Sequence, residues 1–286
     1  MRGRLFVGTS GWIYPHWNGR FYPDGLPGKR QLAFLASQFS TVEVNGTFYS
    51  LARPDSFARW RAETPDDFVF AIKGSRYLTH MLKLKEPQAP LANFFAQGLL
   101  LLGKKLGPIL WQLPPQFAFD AERARAFFAL LPRDLDDAAR LARKHDHRLD
   151  GRSVLRAPDG HGRPLRHALE IRHASWLGEE ALRLMSAHGI ALVTADTADH
   201  HPLSVERTSD TFAYVRLHGA RELYASRYSN AELDQWAALT DRWRARGSDV
   251  YVYFDNDDKA HAPDDARRLL DRADPRLRYA PVDVRP

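Results

Sequence analysis

Eight short apolar runs punctuate the chain, at 5–9, 41–45, 68–73, 108–112, 167–172, 190–196, 211–218 and 249–255. Most are rich in β-branched or aromatic residues, the composition of buried strands. Between them the apolar spacing changes to that of a helix. Residues 29–39 put Leu32, Leu35, Ala36 and Phe39 on one stripe. The segment 54–63 begins with proline, which suits a first helical turn, and repeats apolar positions at Phe57, Ala58 and Trp60. Segments 89–102 and 121–131 are apolar enough for helices that pack on a sheet. Segments 179–188 and 231–246 each run into a glycine, Gly189 and Gly247, a good C-terminal stop. Segment 264–273 supplies the last helix. The sixth, at 198–205, is the weakest and reads as little more than a turn. Strand then helix, eight times over, predicts an α/β fold of the TIM-type (β/α)8 barrel class, a single domain over 1–286. A doubly wound sheet is the competitor, but Gly8-Thr9-Ser10-Gly11 after the first strand does not match the Gly-x-Gly-x-x-Gly fingerprint. Residues 132–166 form the one long insertion, expected to extend the fourth helix and loop back.

Side chains alternate along a strand, and in such barrels the active site lies at the strands' carboxyl ends. Polar residues there keep one parity. Glu43 and Asn45 are two apart, as are Glu170 and Arg172, Thr194 and Asp196, and Arg216 and His218. Lys73, Gln112 and Asp255 end three more strands. With the parity reversed, Glu43, Lys73, Glu170, Arg172 and Arg216 would face the helices, at a cost on the order of several kcal/mol each. The open end of the barrel is therefore their expected place. Part of this set can be structural, because barrels close polar layers with internal ion pairs.

Composition narrows the chemistry. The 286 residues hold no cysteine, which excludes disulfides, thiolate metal sites and a cysteine nucleophile. Basic residues exceed acidic by 41 to 35, a net charge of +6. Half of the surplus lies in 133–167, with nine Lys or Arg against six Asp. No apolar run reaches the roughly 18 residues of a membrane span, and no secretory leader is visible, so no membrane partner and a cytoplasmic location are expected.

Seven segments carry a family resemblance. They are Val7-Gly8-Thr9-Ser10-Gly11-Trp12, Val42-Glu43-Val44-Asn45-Gly46-Thr47-Phe48-Tyr49, Phe70-Ala71-Ile72-Lys73, Leu113-Pro114-Pro115, Leu169-Glu170-Ile171-Arg172-His173-Ala174-Ser175-Trp176, Tyr214-Val215-Arg216-Leu217-His218-Gly219 and Tyr253-Phe254-Asp255-Asn256-Asp257. In order and spacing they resemble domain-of-unknown-function family 72, the YecE-like proteins. The resemblance implies a TIM-type barrel but no established reaction. It places the family's polar positions on Asn45, Lys73, Glu170, Arg172, Arg216, His218 and Asn256. Sugar isomerases and a repair endonuclease share the barrel shape, an analogy of fold only.

The leading expectation is an enzyme for a small anionic substrate, phosphorylated or carboxylated. Lys73, Arg172 and Arg216 would hold the anion, as guanidinium forks do. Glu170 and His218 would move protons, with Lys73 a further acid/base or Schiff-base candidate. Asn45, Gln112, Asp255 and Asn256 would orient the substrate, and Trp12 and Tyr14 would offer a ring platform. No cofactor is expected. A divalent metal held by Glu43 and Asp196 is the minor alternative, opposed by the three cations. A nucleic-acid-binding or processing barrel is a second reading, motivated by the basic loop 76–85 and the Arg-rich insertion. A glycoside hydrolase with paired carboxylates is a third. The sequence leaves the oligomeric state open.

Overall fold

A computed structural model describes residues 1–201 and 203–273. Eight strands form, β1 Leu5–Thr9, β2 Thr41–Val44, β3 Val69–Lys73, β4 Leu106–Gln112, β5 His167–Glu170, β6 Ala191–Asp196, β7 Phe212–Leu217 and β8 Asp249–Phe254. They lie in one parallel sheet of order β1-β8-β7-β6-β5-β4-β3-β2. A parallel bridge from Ser10, just past β1, to Glu43 of β2 links the two ends of that order. This is the α/β strand cycle of the TIM-barrel class. Gly8 makes the approach of β1 to β2 feasible, since a Cβ there would meet the Thr41 carbonyl oxygen at 2.0 Å.

The helices are α1 Gln31–Gln38, α2 Gly46–Tyr49, α3 Pro54–Ala62, α4 Gln88–Ala96, α5 Ala121–Leu130, α6 Leu135–Ala142, α7 Glu179–Ala187, α8 Asn230–Ala245 and α9 His261–Ala273. Two expectations change. The apolar segment 89–102 is not one helix. Gly98 takes φ 129°, where a Cβ would lie 2.7 Å from the Pro54 Cα, and a 3-10 segment Leu99–Lys105 follows. The insertion does not extend α5. Leu131 and Pro132 end that helix, and Asp134 starts a separate α6 by accepting from the Asp137 N–H at 2.7 Å. The sixth helix is a turn, with the His200 N–H donating to the Thr197 carbonyl; Pro202, within it, lies outside the described residues. Among the described residues no helix is long and apolar enough to cross a membrane.

The chain gathers into two compact units, Met1–Glu43 with the residues from Val193 onward, and Val44–Leu192. In the first unit the inward parity stacks aromatics beneath the polar layer. Phe6 lies flat on Tyr251 at 4.6 Å, and Tyr214 packs on Tyr253 at 5.1 Å. Tyr253 shares a 2.7 Å hydrogen bond with Thr41. In the second unit Trp111 fills the core between Phe94 and Phe127. Its indole N–H donates to His167 Nδ1 at 3.2 Å, and His167 Nε2 lies 2.8 Å from the Pro132 carbonyl oxygen. Burial holds this imidazole down to about pH 4, so it is neutral and structural.

Candidate functional site

The polar strand ends form two clusters, one in each unit. In the first, Ser10, Glu43, Tyr214, Arg216, His218 and Asp255 form a continuous network. The side chains of Glu43, Arg216 and His218 have no solvent exposure. Arg216 Nε and Nη2 donate to the two Glu43 oxygens at 3.1 and 2.8 Å. Nη2 also reaches Asp255 Oδ2 at 3.0 Å and Ser10 Oγ at 3.0 Å. Tyr214 donates to Glu43 at 2.6 Å, and the Ser10 hydroxyl donates to the same carboxylate. Arg216 Nη1 lies 3.1 Å from His218 Nε2, which must accept because a guanidinium has no acceptor. The ring proton then sits on Nδ1, 2.9 Å from Asp255 Oδ2.

This geometry revises several expectations. Arg216 spends its donors on two carboxylates and a hydroxyl, so it is an internal counter-ion rather than a substrate clamp. His218 is enclosed between Arg216 and Asp255 and positions Asp255, whose side chain keeps 13% exposure. Asn256 is fully buried and donates to Asp265 Oδ2 at 2.9 Å and the Ser226 carbonyl at 3.0 Å, which ties the turn after β8 to α9. Trp12 is 7% exposed, too buried for a platform. Asp196 accepts from the Tyr228 hydroxyl at 3.1 Å, and burial raises its pKa. Glu43 and Asp196, the residues of the minor metal alternative, are engaged by Arg216 and Tyr228 respectively. Among the described residues no three His, Asp or Glu side chains group as a ligand set.

At the edge of this network Tyr14 lies half-buried, its hydroxyl 2.6 Å from the Ser10 carbonyl oxygen. Burial and the nearby Asp255, Asp257 and Glu43 charges push that phenol well above its ordinary pKa. Burial, reinforced by Asp255, also pushes Asp257 up to about 6. The backbone carbonyl of Asp257 is held by the Trp17 indole at 2.9 Å and by His16 at 2.7 Å.

The second cluster has the opposite balance of charge. Gln112 and Glu170 are register partners on β4 and β5, and Gln112 Nε2 donates to Glu170 Oε1 at 2.8 Å. Glu170 is 1% exposed. Arg172 reaches the same oxygen only at 3.4 Å, through Nε and Nη2, and its side chain keeps 17% exposure. Lys73, at the end of β3, lies with Nζ 4.5 Å from the centre of the Phe48 ring, a cation–π contact. Asn45 opens α2, which carries Phe48 and Tyr49, and the Thr47 hydroxyl ties that turn to the Lys73 carbonyl at 2.7 Å.

His80 belongs to this cluster and was not among the candidates. It lies edge-on to Phe48 at 5.1 Å, with Nδ1 2.9 Å from the Thr79 hydroxyl. Burial, then the charges of Arg172, Lys73 and Arg76, hold its pKa at about 4, against an opposing pull from Glu170. His80 lies in the basic loop 76–85. Residues Tyr77–Met81 of that loop form a π-helical turn that buries its own Leu78 and Thr79. The apolar Leu78 and Leu84 within a basic run were the available signal.

Comparison with known proteins places the whole chain. The model of the family described as protein of unknown function DUF72 matches residues 6–283. The chain belongs to the DUF72 family. UPF0759 protein YunF of Bacillus subtilis (strain 168) is 23% identical over 298 residues, covering 94% of this chain and 95% of its own. UPF0759 protein YecE of Escherichia coli (strain K12) is 31% identical over 144 residues, 44% of this chain and 50% of its own. The crystal structure of a DUF72 family protein from Thermotoga maritima MSB8 superposes with a TM-score of 0.72 at 27% identity, over 93% of this chain and 97% of that one. Family membership and fold thus agree with the strand cycle, while the chemistry rests on the two clusters.

Proposed function

We propose that this DUF72 chain is an enzyme acting on a small anion, a phosphorylated or carboxylated molecule, in the second unit. The observation that carries this reading is Arg172. It is partly exposed and holds Glu170 only through long 3.4 Å contacts to one oxygen. Its guanidinium is therefore not committed to a tight bidentate pair, and it shares the neighbourhood of His80 with two other cations, Lys73 and Arg76.

Such a setting couples binding to proton transfer. Without an anion, burial reinforced by the three cations keeps His80 neutral at neutral pH. An anion placed among them offsets their field, and the His80 pKa rises toward the working range of a general base or acid. Glu170, whose Oε1 accepts from Gln112 and, at longer range, from Arg172, is the second proton-transfer group. Lys73 supplies a further cation on the wall made by Phe48. Arg216, His218 and Asp255 serve this reading only as the rigid layer of the first unit.

The test is a titration of the His80 imidazole by NMR, assigned with His80→Gln, in the absence and presence of inorganic phosphate. The expected result is a rise in the His80 pKa that saturates with phosphate and is lost in Arg172→Ala. A His80 titration that ignores phosphate overturns the proposal.

A further inference from the structure

The second unit also contains a cavity of about 300 Å³, walled by Tyr49, Ser75, Tyr77, Asn93 and Arg148 among others. Its contacts link it to the cationic cluster. Tyr49 lies edge-on to Phe48 at 5.1 Å, and Phe48 is the ring that carries the Lys73 ammonium. Arg76, one of the cations around His80, lies 5.8 Å from the centre of the Tyr49 ring. Ser75 and Tyr77 flank Arg76 in the chain, so one short loop serves both cavity and cluster.

Two features of the cavity call for a ligand of particular chemistry. The first is its aromatic wall. Tyr49 is 67% exposed and Tyr77 37%, unusual for large rings that could pack inward, and both face the same space. Exposed rings beside a recess are suited to stacking on another flat ring. The second is Arg148, supplied by the Arg-rich insertion. Asp146 fixes its backbone by accepting from the Arg148 N–H at 3.0 Å, while Asn93 accepts from the Asp146 N–H at 3.0 Å. The Arg148 side chain stays 54% exposed, its Nε a distant 3.8 Å from the Asp146 carboxylate. The insertion thus delivers a cation to an aromatic recess, and a cavity of this volume sits at the small end of ligand sites, enough for one ring system.

We infer that the cavity seats the base of a nucleotide, with Tyr49 and Tyr77 as the stacking surface and the phosphate directed to Arg76, the cation that lies against Tyr49. This inference rests on the anion reading above and specifies the rest of the ligand. The nucleotide is either free or one unit of a single strand.

Calorimetry with inorganic phosphate, adenosine 5′-monophosphate and adenosine tests it, alongside fluorescence anisotropy with a labelled eight-residue oligo-dT. The wild type is expected to bind the monophosphate about tenfold more tightly than phosphate, the gain that stacking of one base gives. Tyr49→Ala with Tyr77→Ala is expected to remove that gain, bringing the monophosphate to the affinity of phosphate, whereas Tyr49→Phe keeps it. Both tyrosines are exposed, and an unchanged melting temperature verifies that the variants fold. Salt-dependent binding of oligo-dT tighter than that of the monophosphate makes the strand the source; tighter binding of the monophosphate makes it the free nucleotide. Equal affinity for phosphate and monophosphate in the wild type overturns the inference and leaves the anion reading standing. Absence of binding by both overturns the two together.

Discussion

Two arginines at strand ends face a glutamate, and they do different work. Arg216 is fully buried, binds both oxygens of Glu43 at 2.8–3.1 Å, and is shared with Asp255 and Ser10. Arg172 is partly exposed and meets one oxygen of Glu170 at 3.4 Å through two nitrogens. The first cluster sets one guanidinium against two carboxylates and is closed. The second sets Arg172, Lys73, Arg76 and Glu170 around His80, with Arg172 partly exposed. Residue type and strand parity are the same in both. What separates a structural ion pair from a candidate binding group is whether the donors are already satisfied and whether solvent reaches them.

The largest effect that follows is on stability. Arg216→Ala would strand two carboxylates, Glu43 among them fully buried, and is expected to cost about 3–5 kcal/mol in urea unfolding. Arg216→Met combined with Glu43→Gln is expected to recover much of that loss. A cost below about 1 kcal/mol for Arg216→Ala alone would erase the distinction between the clusters.

Next in size is the acid limb of stability, set by His167. Its folded pKa of about 4 lies below the unfolded value near 6.5, so the unfolded state binds the extra proton first. The stability held by the neutral ring is complete above about pH 6.5 and is lost as pH falls through 4, roughly 3 kcal/mol in all. His80 carries the same sign. The two rings part under phosphate: the His80 titration is expected to move and that of His167 to stay, because His80 lies among Arg172, Lys73 and Arg76 while His167 is buried between the Trp111 indole and the Pro132 carbonyl. A shared response in NMR titration would contradict the contrast.

Arg172→Ala is expected to lower phosphate affinity about tenfold in calorimetry while costing less unfolding stability than Arg216→Ala, because the buried Glu170 keeps its Gln112 hydrogen bond. It should also raise the His80 pKa, since one of the charges that depress it is gone. A stability loss as large as that of Arg216→Ala would make Arg172 structural too. The smallest effect concerns the rim of the closed network. Tyr14→Phe removes a hydroxyl whose dipole lowers the Asp257 pKa, so that carboxyl should titrate slightly above about 6, by less than about one unit in NMR titration.

Periodicity alone determined the eight strands, most of the helices and the shared parity of the polar strand ends. Alternating side chains and the cost of burying charge among helices leave those residues few alternatives. The seven segments beginning with Val7-Gly8-Thr9-Ser10-Gly11-Trp12 also pointed to the family. The tertiary structure decided the roles. Glu43 and Ser10, 33 residues apart, close on Arg216, more than 170 residues beyond Glu43, and no local pattern carries such a three-way contact. The break of α4 needed Pro54 against Gly98, and the position of His80 needed a π-helical turn that buries its own Leu78. Hydrogen-bond satisfaction and local field depend on neighbours in space. The chain therefore specifies which groups it carries to the strand ends, and folding determines which of them are used up there.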